Sequence, residues 1–518
     1  MPRLSKTKRL LLLLLAAALL LGIATFRDYG VTWDEPLYYA YADAIGYAYS
    51  IPARLSGDFQ INRAYGPSAA DHRNRGPAYL LLARNGVYLL HALTGIDKAA
   101  LWHFINFLSF LIGVYFLYEL GLRWLSPEGS LAASALFLTQ PLLWGHAFIN
   151  PKDIPFLSIF ILNLYVGFRM VESLYGDSPS LRDILLPGVL LGLATNLRII
   201  APLIAALLFL YAFLLSYEQK NWKPLAYFLP YGIIAILTLY ATWPYLWDAP
   251  IRKFIEVLTL MSHNPTTLKV LFLGRMYPSY DLPRRYLPWL MGLTLTEPVW
   301  ILFGIGGFAA LSKIWKKRIA WQTLLLIALW FLIPFVYVLL IRPPMYDGYR
   351  HFLFILPPIF LFSGFAFDAL FRVLRKGWSR ALLSACILLP GIFAAIPLHP
   401  YEYAYYNQLV GGTSGAFRTY ETEYWLTCYK ETIEEFNEIA PPDARLAVYR
   451  EARNAAYYTR EDILVEDYRA IHGDIQPGEF VLISSRSNED ERILRGAPTL
   501  LQVGREGATF CVIKEYMP

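Results

Sequence analysis

Charge is what this chain is short of. Asp, Glu, Lys and Arg make up 17% of its 518 residues, where a soluble domain carries about 25%. With 56% hydrophobic residues, that shortfall excludes an ordinary soluble globular protein. Cysteine is scarce as well. Cys386, Cys428 and Cys511 are the only three, and they fit no metal-ligand spacing. Cys386 lies inside an apolar run, and unpaired thiols are expected at Cys428 and Cys511 in preference to a disulfide. The eight histidines show no spacing for a structural metal. No glycine-rich phosphate-binding loop occurs, which argues against a nucleotide-driven pump. The excess of positive charge is modest, 46 basic against 40 acidic residues. Such an excess orients a membrane protein and gives no reason to expect nucleic acid as a partner.

Long apolar runs are what the chain has instead. Runs able to cross a hydrocarbon core of about 30 Å recur through most of it. Spans are expected at 8–26, 99–122, 130–148, 155–174, 184–196, 198–216, 224–242, 297–312, 319–340, 352–371 and 380–397, about eleven in all. The basic start followed by Leu10 to Leu21 imitates a secretory signal, but the later spans favour an uncleaved first helix. Segment 78–94 is apolar but carries Arg84 and Asn85 in its middle. It is read as a helix lying along the surface. Arg123, Arg182, Lys220, Lys223, Lys313, Lys316, Lys317, Arg318, Arg372, Arg375, Lys376 and Arg380 then share the inner side with the N-terminus. Loop 27–98, the turn Asn150 to Asp153, loop 243–296 and the turn 341–351 share the outer side. From about 399 hydropathy falls. A helix over 424–439, strands at Arg445–Tyr449, Glu479–Ile483 and Thr509–Ile513, and a break at Pro441-Pro442 suggest a small outer α/β domain over 399–518, after a transmembrane domain over 1–398.

Acids beside a bilayer are costly to hold without a task. Asp34 and Glu35, in Asp28-Tyr29-Gly30-Val31-Thr32-Trp33-Asp34-Glu35-Pro36, are therefore candidates for catalysis. A sugar transferase needs a base for its acceptor and a setting for positive charge at the sugar carbon. Asp34 suits the base, with Glu35 as support or metal ligand; a solvated loop pair or a helix cap is the structural alternative. In Asn150-Pro151-Lys152-Asp153, Lys152 suits a phosphate and Asp153 a sugar hydroxyl or metal. A snorkelling lysine and a helix N-cap are the plainer roles. Arg73 and Arg75, in Asp71-His72-Arg73-Asn74-Arg75-Gly76-Pro77, offer guanidinium forks for phosphate oxygens, as do Arg350 beside His351 and Arg198. Salt bridges to unplaced acids are the alternative for each. Together these residues suggest a lipid phosphate as ligand, its tail between spans and its leaving group met by cations.

Several segments resemble the GT-C type membrane glycosyltransferases, near the protein O-mannosyltransferases and bacterial aminoarabinose transferases. They are Thr32-Trp33-Asp34-Glu35, Asn150-Pro151-Lys152-Asp153-Ile154-Pro155-Phe156, Tyr346-Asp347-Gly348-Tyr349-Arg350-His351-Phe352, Tyr405-Tyr406-Asn407-Gln408-Leu409-Val410-Gly411-Gly412 and Glu423-Tyr424-Trp425. The resemblance implies that the family's first-loop acid corresponds to Asp34, with Glu35 as its neighbour, and the second acid to Asp153. It implies an inverting transferase, polyprenyl-phosphate sugar donors, an outer-face site and surface helices in the first outer loop. The usual His-Pro-Pro element is poorly kept at His72 to Pro77. The expected protein is a multi-pass enzyme of a bacterial inner membrane, N-terminus cytoplasmic and C-terminus periplasmic. Its partners are the donor, membrane lipids and a protein, lipid or polysaccharide acceptor. A divalent ion (Mg, Mn or Zn) between Asp34 and Asp153 is left open. A transporter or flippase of lipid-linked sugars, or a scaffold without activity, is the alternative; the first would be favoured by an inverted repeat, and none is clear.

Overall fold

The computed structural model describes residues 5–67, 72–176, 180–262, 266–472 and 474–517. Its first two thirds are helical. In chain order the helices used below are α1 (Lys6–Thr25), α2 (Glu35–Ile45), α3 (Ala78–Thr94), α4 (Lys98–Gly121), α5 (Pro127–Leu138), α6 (Pro141–Phe148), α7 (Asp153–Leu174), α8 (Leu181–Leu197), α9 (Pro202–Gln219), α10 (Phe228–Thr242), α11 (Pro250–Ser262), α12 (Glu297–Trp315), α13 (Trp321–Ile341), α14 (Pro357–Val373) and α15 (Gly377–Leu398).

Among the described residues eight helical segments are long and apolar enough to cross a membrane. This is a multi-pass membrane protein. The eleven expected spans all have helical counterparts, but three are shorter or broken. The expected span 130–148 is two helices, α5 and α6. Proline has no N–H to continue a helix and is favoured in a first turn, so Pro141 starts a new one. Gln140 fills the gap: its amide donates to Leu136 O at 2.9 Å and to Thr296 Oγ1 at 3.1 Å, and its carbonyl accepts from Thr296 N at 3.1 Å. Residues 184–216 form two helices, α8 and α9, parted at Arg198 to Ala201. α14 is a full helix of only 17 residues, entered through the 3₁₀ turn Arg350–Ile355.

α3 has 17 residues, about 26 Å at 1.5 Å per residue, short of a hydrocarbon core. Its Arg84 stacks on Tyr88 at 4.7 Å and lies 3.9 Å from Asp43. Ion pairs mark one end of the bundle. The ends of α1 and α4 meet through Lys8 and Glu119 at 2.7 Å, and those of α12 and α14 through Lys313 and Asp368 at 2.8 Å. Arg123 pairs with Glu172 at the same end. The opposite end carries the starts of α2, α4 and α7 and the end of α8.

After α15 the chain forms a smaller unit. α16 (Cys428–Ile439) packs on a five-stranded sheet of β3 (Arg445–Val448), β4 (Leu464–Asp467), β5 (Phe480–Ser484), β6 (Thr499–Arg505) and β7 (Ala508–Glu515), ordered β4-β3-β5-β7-β6. β3 pairs in parallel with β4 and β5; β7 runs antiparallel to β5 and β6. The remaining hairpin, β1 (Lys269–Phe272) with β2 (Arg275–Pro278), lies in the loop after α11. The polytopic helical class with a small C-terminal α/β unit is as expected from hydropathy. Two features correct the sequence reading. β4 and β6 are edge strands with exposed residues such as Leu464 and Leu500, so neither stands out as an apolar run. Cys428 and Cys511 are a disulfide with Cα atoms 5.8 Å apart. It ties the first residue of α16 to β7 across 83 residues of sequence, a contact that only the tertiary fold creates.

Candidate active site at the helix ends

The loop between α1 and α2 turns inward because its own residues tie it. Thr32 N donates to Glu35 Oε2 at 2.7 Å, and Thr32 Oγ1 to Asp34 Oδ1 at 3.2 Å. Pro36 follows in the first turn of α2, where its missing N–H costs nothing. Asp34 and Glu35 are both buried, 3% and 0% exposed.

Asn150 joins this loop to α7. Its backbone is left-handed, φ 61°, a conformation asparagine tolerates better than most residues. From there its side-chain carbonyl accepts from Lys152 N at 3.0 Å and Asp153 N at 3.3 Å, satisfying amides that open α7. The same side chain's amide donates to Asp34 Oδ2 at 3.0 Å and Oδ1 at 3.2 Å. Its backbone N–H donates to Glu35 Oε1 at 2.8 Å. One residue thus caps a helix and orients two acids.

Glu35 has little left to offer chemistry. Thr32 N, Asn150 N and His103 Nε2, the last at 3.2 Å, take up its two oxygens. Burial raises its carboxyl, but the charge and hydrogen bond of His103, with the amides of Thr32 and Asn150, outweigh it and hold the carboxyl below its ordinary range. Glu35 thus ties the first loop to the start of α4 and to Asn150.

Arg350 sits at the centre. It is 5% exposed and stacks on Trp425 at 4.3 Å. Its Nη1 lies 3.6 Å from Asp34 Oδ2 and 3.4 Å from Asp153 Oδ2; its Nη2 lies 3.2 Å from Asp347 Oδ2. Its Nε is buried with no hydrogen-bond partner. Arg198, the residue that ends α8, pairs with Asp153. Arg75 donates to Tyr38, and Lys152 lies over the same ring with Nζ 5.4 Å from its centre. His351 stands edge-on to Tyr346. Burial and the surrounding arginines hold its imidazole neutral.

The charges do not balance. Asp347 and Arg486 form a pair at 2.5 Å. Beyond it four cations, Arg75, Lys152, Arg198 and Arg350, face two carboxylates, Asp34 and Asp153. Burial pushes the Lys152 ammonium well down, and Arg75 and Arg198 push it further. Basic groups that outnumber the acids in a dry site are the setting in which an anion binds, and the anion in turn favours the charged form of Lys152. Burial likewise raises the Asp34 carboxyl, while Arg350 and Arg75 pull it back. A carboxylate raised in this way is a stronger base than a solvated one.

The other expectations divide. Lys152, Asp153, Arg198, Arg350, His351 and Arg75 come together around Asp34. Arg73 does not: its guanidinium lies 5.9 Å from the Tyr245 ring, and its carbonyl accepts from Trp243 Nε1 at 3.2 Å. It faces the loop after α10 and is not among the groups around Asp34. Asp71 lies outside the described residues. Arg350 Nη1 stands between the oxygens of Asp34 and Asp153, 3.6 and 3.4 Å away, so each of these two carboxylates already faces a cation. Among the described residues no group of three His, Cys, Asp or Glu side chains could hold a metal ion. The sequence reading missed Asn150, Asp347, His103, Trp425 and Arg486 as members of the site. Asn150 and Asp347 lay inside the quoted motifs; Arg486 had no local signal.

A helical membrane bundle with buried acids and cations at one end is the architecture in hand. Residues 86–247 match the family described as dolichyl-phosphate-mannose-protein mannosyltransferase. That family is of the GT-C glycosyltransferase class, which the motifs of this chain resemble. Among curated protein sequences none matches. Among solved structures, ArnT from Cupriavidus metallidurans bound to undecaprenyl phosphate aligns over 98% of each chain at 12% identity, TM-score 0.47. The Archaeoglobus fulgidus oligosaccharyltransferase tethered to an acceptor peptide aligns over 92% of this chain and 69% of its own, at 12% identity and TM-score 0.49. Arabinofuranosyltransferase AftD from Mycobacteria aligns over 99% of this chain and 42% of its own, at 13% identity and TM-score 0.47.

Proposed function

We propose that the protein is an inverting glycosyltransferase. It moves a sugar from a polyprenyl-phosphate donor to a protein, lipid or polysaccharide acceptor at the outer face of a bacterial inner membrane. One observation carries the reading. A raised, buried carboxylate, Asp34, lies at the helix ends among basic groups that outnumber the acids, with Arg350 between the acids and with Lys152 and Arg75 on the Tyr38 ring.

In the proposed reaction the acceptor's proton passes to Asp34. The acceptor's hetero atom then forms a bond to the anomeric carbon from the face opposite the lipid phosphate. The bond from that carbon to the phosphate oxygen breaks, and its electron pair stays on the phosphate. Charge therefore grows on the leaving group, where Lys152, Arg350, Arg198 and Arg75 meet it. Preorganised cations in a dry site stabilise such a transition state without having to reorganise. Arg350 Nε, which has no protein partner, is free to donate to a phosphate oxygen. Asp153 orients Arg198 and Arg350. No step passes through a metal.

The outer face is supported by two observations. Basic loop residues gather at the helix ends opposite the site, as cytoplasmic ends do. The disulfide Cys428–Cys511 belongs to the unit at the site's own end, and disulfides persist in oxidising compartments. The family match and the ArnT structure bound to undecaprenyl phosphate support the donor class.

The test is direct. Purified protein is incubated with a panel of polyprenyl-phosphate sugars and the products are weighed. Transfer with release of the lipid phosphate is expected, and Asp34→Asn should keep its fold and abundance but lose transfer. Full turnover by Asp34→Asn would remove the base from the mechanism.

A further inference from the structure

We propose that the C-terminal unit is a working part of the active site, with Asn454 and Arg486 as its two positioning residues. This inference rests on the transfer reaction just proposed and concerns which residues hold its geometry.

The acid loop is gripped from the C-terminal side along its backbone. Asn454 Nδ2 donates to Thr32 O at 2.8 Å and to Val31 O at 3.2 Å. Val31 N donates to Tyr458 Oη at 2.8 Å, and Trp33 N to Trp425 O at 3.0 Å. Gly30 lies so close that a Cβ there would stand 2.1 Å from Thr427 O. Asn454 is fully buried. The polar groups immediately before Asp34 are therefore satisfied by a unit more than 390 residues away in sequence.

The second grip is electrostatic. Arg486, 5% exposed, leaves the end of β5 and reaches into the bundle. Its Nη2 donates to Asp347 Oδ1 at 2.5 Å, and its Nη1 to Tyr424 O at 2.7 Å. Asp347 in turn accepts from Trp33 Nε1 at 3.3 Å and faces Arg350 Nη2 at 3.2 Å with its other oxygen. Asp347 thus stands between two arginines. With Arg486 in place it is half neutralised and holds Arg350 lightly. Without Arg486 the whole charge of a buried carboxylate falls on Arg350, which then has less to give a phosphate.

The two grips predict different kinetic signatures. Arg486→Gln should raise the dissociation constant for a sugar-free polyprenyl phosphate, and KM for the sugar donor, about tenfold, with kcat within about twofold. Arg486→Lys keeps the charge but cannot serve both Asp347 and Tyr424 O, so it should recover part of the loss. Asn454→Ala should leave donor KM unchanged, lower kcat about tenfold, and speed hydrogen exchange at the amides of Val31, Thr32 and Trp33. Arg469→Gln, on a half-exposed arginine of the same unit, is the control and should change none of these.

Intact protein in detergent, with its melting temperature recorded for each variant, separates the possible failures. A wild-type protein that neither binds the lipid phosphate nor transfers sugar sinks the proposed reaction. Exchange at 31–33 still tests the grip in that case, and no change in Asn454→Ala overturns it. Should wild type transfer sugar while Arg486→Gln and Asn454→Ala keep all constants within about twofold, the positioning role is wrong. A loss in either variant that merely tracks its melting temperature, with kcat and KM moving together and no recovery in Arg486→Lys, overturns it as well.

Discussion

At the scale of the residue, the acid loop is governed by opposing influences on Asp34. Burial raises its carboxyl; Arg350 and Arg75 lower it. The transfer reaction needs Asp34 ionised, so the acid limb of the rate–pH profile should lie above the ordinary aspartate value of about 3.9. In Arg350→Gln the largest lowering influence is gone. The limb should move to higher pH, along with a weaker hold on the donor. A limb that stays where it is would mean that another group titrates. Asn150 offers a second residue-scale test. Its amide gives both oxygens of Asp34 a hydrogen bond. Asn150→Asp is nearly the same shape but puts a like charge there in place of two donors. One of the pair should then hold a proton at neutral pH. Turnover should fall about a hundredfold or more, and the melting temperature should drop because a buried bond network has lost its donors.

At the scale of the element, the junction of α1, α15 and the C-terminal unit is where pH and packing act. His399 lies 2.9 Å from Asp28 and 2.7 Å from Glu402. Burial works against its imidazolium, yet the two carboxylates win and its folded value is raised. A raised histidine contributes stability that is fully present below its unfolded value of about 6.5 and lost as pH rises through the folded one. The melting temperature should therefore fall as pH climbs above that value, and His399→Gln should flatten that dependence. Packing is tested at Gly30, where a methyl would meet Thr427 O at 2.1 Å. Gly30→Ala should part the acid loop from the C-terminal unit and lower both stability and transfer, whereas Gly95→Ala, with open space around it but a left-handed backbone, should cost about 1 kcal/mol. These elements also show what the chain's letters could tell. The long apolar helices were legible because hydropathy is local, and Asp34, Lys152, Asp153 and Arg350 stood out because they interrupt apolar runs with charge. The break at Gln140 was not read, since a polar residue before a proline looks ordinary until Thr296 is beside it. Arg486 was invisible because its partner, Asp347, is 139 residues away and no periodicity links them. The Cys428–Cys511 bridge was hidden for the same reason.

At the scale of the whole molecule, everything proposed depends on which end of the bundle faces outward. With α3 on the surface, the helices bring Asp34, Asn150, Arg198 and Arg350 to one end and Arg123, Lys313 and Arg372 to the other. Placing an extra span at α3 would turn every later loop over. It would also separate the end of α1 from α7, which the hydrogen bonds from Asn150 to Asp34 forbid. The end that carries the site also carries the C-terminal unit, and the proposed function puts that end outside. In intact cells a membrane-impermeant thiol reagent should reach a cysteine placed at the exposed Arg469, but not one placed at Lys376 between α14 and α15. Both sites should react once the membrane is opened. Cys428 and Cys511 should become reactive only after reduction, because they are paired. Lys376 labelled from outside, with Arg469 protected, would put the catalytic end in the cytoplasm. A lipid-phosphate donor would then have to be used on the inner face, and the charge asymmetry of the loops would have the wrong sign for the rule that sets membrane orientation.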